Sequence, residues 1–92
     1  MKEKVIETCE KVWHELGFQG ESSLYNLSRA VREDEEVVSL ALGWLTREDK
    51  VNCSKQRQEI VFSLVDAELD IFRQFYKEGR PQKRRFWDKI FS

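Results

Sequence analysis

A chain of 92 residues has room for one compact domain and not two. With 40% hydrophobic and 36% charged residues it is globular and strongly hydrated, which excludes a wholly disordered chain, and no apolar run nears the roughly 20 residues of a membrane span. The formal net charge of -1 offers nucleic acid no global attraction, but the charge is uneven: residues 1–65 hold nine Lys/Arg and twelve Asp/Glu, and residues 66–92 hold seven and five. An acidic body precedes a basic end.

Val5, Cys9, Val12, Trp13 and Leu16 recur at spacings of three and four, with Ile6 widening the stripe. This periodicity predicts an amphipathic first helix over residues 2–16. Gly17 reads as its stop and Phe18 as the return to the core. After a turn at 19–21, Ser22 or Ser23 can cap a second helix from Leu24 to Arg32. Leu24, Leu27 and Val31 face inward with Ala30 beside them, and residues 21–23 have room for a short strand. Arg32-Glu33-Asp34 interrupts the pattern. Asp34 then reads as the N-cap of a third helix reaching Glu48, with Glu35 and Glu36 at the positive end of its dipole. Its inward face is Val37, Val38, Ala41, Leu42 and Leu45.

Asp49-Lys50 is a turn. Val51 and Cys53 then alternate with Asn52 and Ser54, as a strand does. Residues 55–58 read as a polar loop, and Ile60, Phe62 and Leu64 alternate again, which completes a hairpin. A fourth helix from Asp66 to Glu78 carries Leu69, Phe72 and Tyr76, flanked by Ile71 and Phe75, and Gly79 and Pro81 end it. In residues 83–91, Phe86 pairs with Ile90 and Trp87 with Phe91 at a spacing of four, enough for one or two further helical turns.

Three helices followed by a hairpin, with three residues joining helices two and three, have the spacing of a helix-turn-helix with a wing. The expected fold is mainly α with a small β-hairpin: a winged helix over residues 1–65, and a C-terminal helical extension with a basic-aromatic tail over 66–92. The stretch from Ala41 to Val51, Ala-Leu-Gly-Trp-Leu-Thr-Arg-Glu-Asp-Lys-Val, resembles the third helix and the start of the wing in a small bacterial winged-helix family of unknown function. Residues 2–17, with Val12-Trp13, resemble the same family. The resemblance implies the fold and a prokaryotic source, and it implies DNA binding only by analogy with other winged helices. It transfers no catalytic or ligand residues.

The chemistry of catalysis is missing from the pattern. His14 is the single histidine, with Glu10 one turn before it, and the glycines form no phosphate loop. Cys9 and Cys53 both occupy apolar positions and read as buried, reduced thiols of a cytoplasmic protein, without zinc-site spacing. No enzyme activity, cofactor, metal or small-molecule ligand is expected.

Two classes of partner stay open. Duplex DNA would meet Ser39 and Arg47 on the outer face of the third helix, Lys55 and Arg57 at the wing tip, and Lys83, Arg84 and Arg85 in the tail. Against this, Glu33, Asp34, Glu35 and Glu36 crowd the helix end that would enter a groove. A protein partner, or a second copy in a homodimer, would meet Leu40, Gly43 and Trp44, whose side of the third helix is apolar well beyond the width one core needs, together with Phe72 and Tyr76 of the fourth helix. A mid-helix glycine suggests close packing at Gly43. The basic-aromatic tail also suits an anionic membrane surface, but it is too short for firm attachment.

Overall fold

The computed structural model describes residues 2–77 of the chain. The first helix, α1, spans Lys2–Gln19 and so runs through Gly17 instead of stopping there. The reason lies in packing: the ring of Phe72 rests on Gly17 so closely that a Cβ would collide with it. Glycine serves here as a recess, and the helix ends two residues later, at Gln19. Gly20 adopts φ +89° and its N–H bonds the Leu16 carbonyl at 2.8 Å. Phe18 does not return to the core either. It is 64% exposed, its ring edge-on to Phe72 with centroids 5.0 Å apart.

Ser23 caps α2 (Leu24–Val31), its Oγ accepting the Asn26 N–H at 3.2 Å. Leu27 and Val31 are buried, whereas Ala30 is exposed, one position off the inward arc. The chain leaves α2 through Arg32 in the left-handed region, φ 59°. The turn that follows is tied down at several points. The Glu33 N–H bonds the Ser28 carbonyl at 3.1 Å, and the Ser28 hydroxyl donates to the Glu33 carbonyl at 2.6 Å. The Glu33 carboxylate meets Lys4 at 2.9 Å and Lys11 at 3.1 Å, both on α1. The angle between α2 and the next helix is thereby referred to α1. That helix, α3, spans Glu35–Arg47. Asp34 stands at its N-cap with an extended backbone but makes no side-chain capping bond, so its contribution, like that of Glu35 and Glu36, is to the dipole.

α1 crosses α3 at two small residues, where the Cys9 thiol donates to the Ala41 carbonyl at 3.6 Å. Around this crossing Val12, Trp13, Leu16, Leu27, Val38, Leu42 and Leu45 form the core. β1 (Glu21–Ser23), β2 (Val51–Gln56) and β3 (Glu59–Leu64) make an antiparallel sheet of order β1-β3-β2, so the short third strand is present. Gln56 pairs with Glu59, which shortens the expected four-residue loop to Arg57-Gln58, with Arg57 at φ 59°. Only the base of the β2–β3 hairpin, Val51 and Leu64, is buried. Beyond it β3 keeps to β1 through Val61–Ser63, with Phe62 half-buried, while residues 52–60 are exposed. Cys53, opposite Phe62, is therefore exposed and not a core thiol, and Ile60 is 52% exposed despite its apolar register.

α4 (Asp66–Lys77) lies against α1. Phe72 is buried, its centroid 5.4 Å from that of Trp13. The indole N–H of Trp13, itself fully buried, donates to Glu68 Oε1 at 2.9 Å, and Lys50 Nζ stands 3.5 Å from Oε2. A buried carboxylate thus joins α1, the α3–β2 turn and α4.

Gly17→Ala is expected to destabilise the protein by about 1–3 kcal/mol through overpacking against Phe72, despite the better helix propensity of alanine. An unchanged or higher melting temperature would show that Phe72 does not need the recess. Glu33 yields a pH test. Hydrogen bonds from Lys4 and then Lys11 hold its carboxyl below the ordinary 4.5, so its stabilisation is present above that value and is lost as the pH falls through the lowered one. Glu33→Gln should therefore melt lower than the parent at pH 7, and the gap should close as the pH falls below 4.5 and through the lowered value. A gap of constant size would mean that the charge of Glu33 does not contribute.

Candidate functional site

Two surfaces flank the helix-turn-helix. The first is the outer face of α3 with the wing. Glu36, Ser39, Gly43, Thr46 and Arg47 are all exposed, as the helical period places them. The acids stand at the N-terminal end and Arg47 in the last turn. Every residue from 52 to 60 is exposed, and Lys55 and Arg57 lie around the tip of that hairpin. α2 adds Arg29, and its C-cap adds Arg32, both exposed and both off the inward stripe that the periodicity marks. Arg29 donates to the Tyr25 hydroxyl at 2.9 Å and its guanidinium lies 5.6 Å from the centre of that ring, an arrangement that stiffens the side chain on an open helix face.

The second surface is apolar. Leu40 is 49% and Trp44 41% exposed. Together with Lys2, Val5 and Ile6 of α1 they line a groove of about 330 Å³. Phe72 does not join this group. It packs on Trp13, His14, Gly17 and Phe18 at the other end of α1, because Glu68 and Gly17 set the position of α4 there. Gly43 has no close-packing role among the described residues, since an added Cβ would meet nothing within 4 Å. The expectations for Lys83, Arg84 and Arg85, and for the side chains of Phe75 and Tyr76, lie outside the described residues.

Reactive chemistry stays sparse. Burial pushes the Cys9 thiol up to about 12, so it is inert. Among the described residues no three His, Cys, Asp or Glu side chains group as metal ligands would, and no helix is long and apolar enough to cross a membrane. An open hollow of about 560 Å³ between α1 and α2 mixes Glu7, Glu10, Glu15, Lys11 and His14 without converging on one point.

The fold, the α3 face and the exposed hairpin agree with a family-level match. The model of the winged helix-turn-helix domain family DUF2582 covers residues 1–64. The chain belongs to this family. The DUF2582 region runs from α1 through β3 and so contains the α3 face, the wing and the apolar groove, whereas α4 follows it. The uncharacterised protein MJ1608 of Methanocaldococcus jannaschii is 36% identical over 64 residues, which are 66% of this chain and 90% of that one. Among solved structures, Lactococcus lactis ZitR superposes with a TM-score of 0.71 at 16% identity, over 84% of this chain and 60% of that one. The chain thus spans less than two thirds of ZitR. The transcriptional regulator HlyU from Vibrio vulnificus superposes with a TM-score of 0.69 at 20% identity, over 79% of this chain and 76% of its own. At such identities these structures share the winged-helix fold with the DUF2582 domain and nothing narrower.

The open space at Gly43 reverses the sign of the substitution considered at Gly17. Gly43→Ala in this domain is expected to raise stability by about 1 kcal/mol, because the helix gains propensity and the new methyl meets no obstacle. A fall in melting temperature would reveal a contact at that position.

Proposed function

We propose that this DUF2582 domain is a non-catalytic, regulator-like DNA-binding module that meets duplex DNA mainly through its phosphates. The observation that carries this reading is the wing. Every residue from Asn52 to Ile60 is exposed, and Lys55 and Arg57 present cations around the hairpin tip. Exposed Arg29 on α2, Arg32 at its C-cap and Arg47 at the end of α3 add to them. In a helix-turn-helix the helix before the reader crosses the DNA backbone, which suits arginines on α2 and at its C-cap. The regulator HlyU, with the same fold, supports the reading by analogy only.

The acids limit the mode. Asp34, Glu35 and Glu36 at the start of α3 would be driven toward a polyanion if that end entered the major groove. Base reading by the N-terminal turn of α3 is therefore disfavoured, and backbone contacts by the wing and by Arg47 are favoured. Binding of this kind is strongly salt-dependent and weakly selective. Exposed Leu40 and Trp44 carry a second reading of the adjoining surface: it holds a polypeptide segment, and not DNA.

The test is a titration of mixed-sequence duplex by the full chain at low and moderate salt. Binding should fall steeply with salt, and Lys55→Ala with Arg57→Ala should lower the slope of log K against log salt by about 2. Leu40→Ala should leave the slope unchanged. Absence of binding at low salt overturns the DNA reading. Binding that survives loss of the wing cations but disappears with Lys83→Ala, Arg84→Ala and Arg85→Ala moves the contact from the wing to the tail.

A further inference from the structure

The groove between the start of α1 and the middle of α3 offers an apolar floor from Val5, Ile6, Leu40 and Trp44. Acids predominate around it. One helical turn from that lining stand Glu3 on α1, Glu36 on α3 and Glu48 at its C-cap, against Lys2 and Arg47 of opposite sign. An occupant that complements this surface carries large apolar side chains beside positive charge. Residues 83–91 of the same chain have that composition: Lys83, Arg84, Arg85 and Lys89 around Phe86, Trp87, Ile90 and Phe91, with Asp88 the only acid. Their spacing of four lets one face of a helical turn carry the apolar pairs.

The chain has the length to reach. Phe72 rests on Gly17, which lies eleven residues, or about 16 Å of helix, from Ile6. Lys77, the last residue of α4, is five residues or about 8 Å beyond Phe72. The nine residues from Lys77 to Phe86 span up to about 30 Å, which exceeds the two displacements together.

We infer that the segment 83–91 of this chain seats in its own α1–α3 groove, placing Phe86 and Trp87 over Leu40 and Trp44. The seat is a clasp: it covers the exposed flank of α3 and brings Lys83, Arg84 and Arg85 to the helix whose own leading turn is acidic. The supply of cations to α3 rests on the DNA-binding reading, whereas the seat itself does not.

The experiment places a nitroxide at the end of the full chain through Ser92→Cys, with the exposed Cys53 replaced by Ser and the inert, fully buried Cys9 left in place. Amide signals are compared with the label active and after reduction, without DNA. Selective, severalfold loss of signal at Val5, Ile6, Leu40 and the Trp44 indole is the expected result. It should vanish when Phe86 and Trp87 are both replaced by Ser. A sample mixing isotope-labelled chains without nitroxide and nitroxide chains without isotope should show no loss. Loss in that mixed sample overturns the intrachain seat in favour of a second copy, and no loss, or loss spread evenly over the surface, overturns the seat altogether. Because no DNA is present, failure here leaves the DNA reading standing, and failure of the DNA titration leaves the seat standing.

Discussion

The hydrogen bond from the Trp13 indole to Glu68 organises more of this molecule than any other single contact. A fully buried indole N–H requires an acceptor, since leaving it unpaired costs on the order of 1–3 kcal/mol. Trp13 lies within α1, and its acceptor comes from 55 residues away on α4. The other oxygen of that carboxylate faces Lys50 at the exit of α3, so its charge is neutralised within the same cluster. Three separate parts of the chain are brought into one register by a single carboxylate. The position of Phe72, one turn after Glu68, follows from it, and the requirement for glycine at position 17 follows from Phe72.

A second tether works on the opposite side of α1. Glu33 sits in the turn of the helix-turn-helix and reaches Lys4 and Lys11. Exposed ion pairs contribute little individually. The effect here is geometric, because the two lysines stand nearly two turns apart on α1 and converge on one oxygen. The backbone of the turn is closed at the same time by Ser28, so α3 leaves at an angle set by α1 rather than by the loop. α1 thus acts as the ruler for both the helix-turn-helix and α4, which accounts for its place at the centre of the buried cluster.

The helices and the wing were legible because burial follows the period of each element. Val5 to Leu16 and Val37 to Leu45 keep their stripes facing the core, and Ser23 caps where a serine should. What escaped the pattern was decided by contacts distant in sequence. Gly17 and Gly43 look alike along the chain, yet among the described residues one receives a ring and the other meets no neighbour. Cys53 and Ile60 keep strand alternation in the exposed stretch of the hairpin, where alternation no longer reports burial. Glu68 had a signal that periodicity obscures: it stands four residues before Phe72, on the same inward face, and a carboxylate there demands a buried donor. Of the surface residues, the exposure of Ser39, Leu40, Arg47, Lys55 and Arg57 could be read from the helical wheel and the turn, whereas the arginines of α2 and its C-cap required knowing which way that helix presents its free face.

The winged-helix fold and the charges on α3 pull in different directions, and the disagreement is informative. The acids that open α3 suit its own dipole and therefore the stability of the fold. The same acids oppose the approach of that end to a phosphate backbone. Stability and DNA contact can both be served if the cations come from elsewhere, from the wing tip, from α2, or from a segment laid beside α3. The wing tip and the α2 exit hold such cations, and Lys83, Arg84 and Arg85 are the ones the proposed seat would bring to α3. An apolar flank next to an acidic helix start is what such a laid-on segment needs: a dry floor to hold it and opposite charge to orient it. In the proposed seat, half-exposed Leu40 and Trp44 would hold the segment that gives the acidic α3 a basic neighbour.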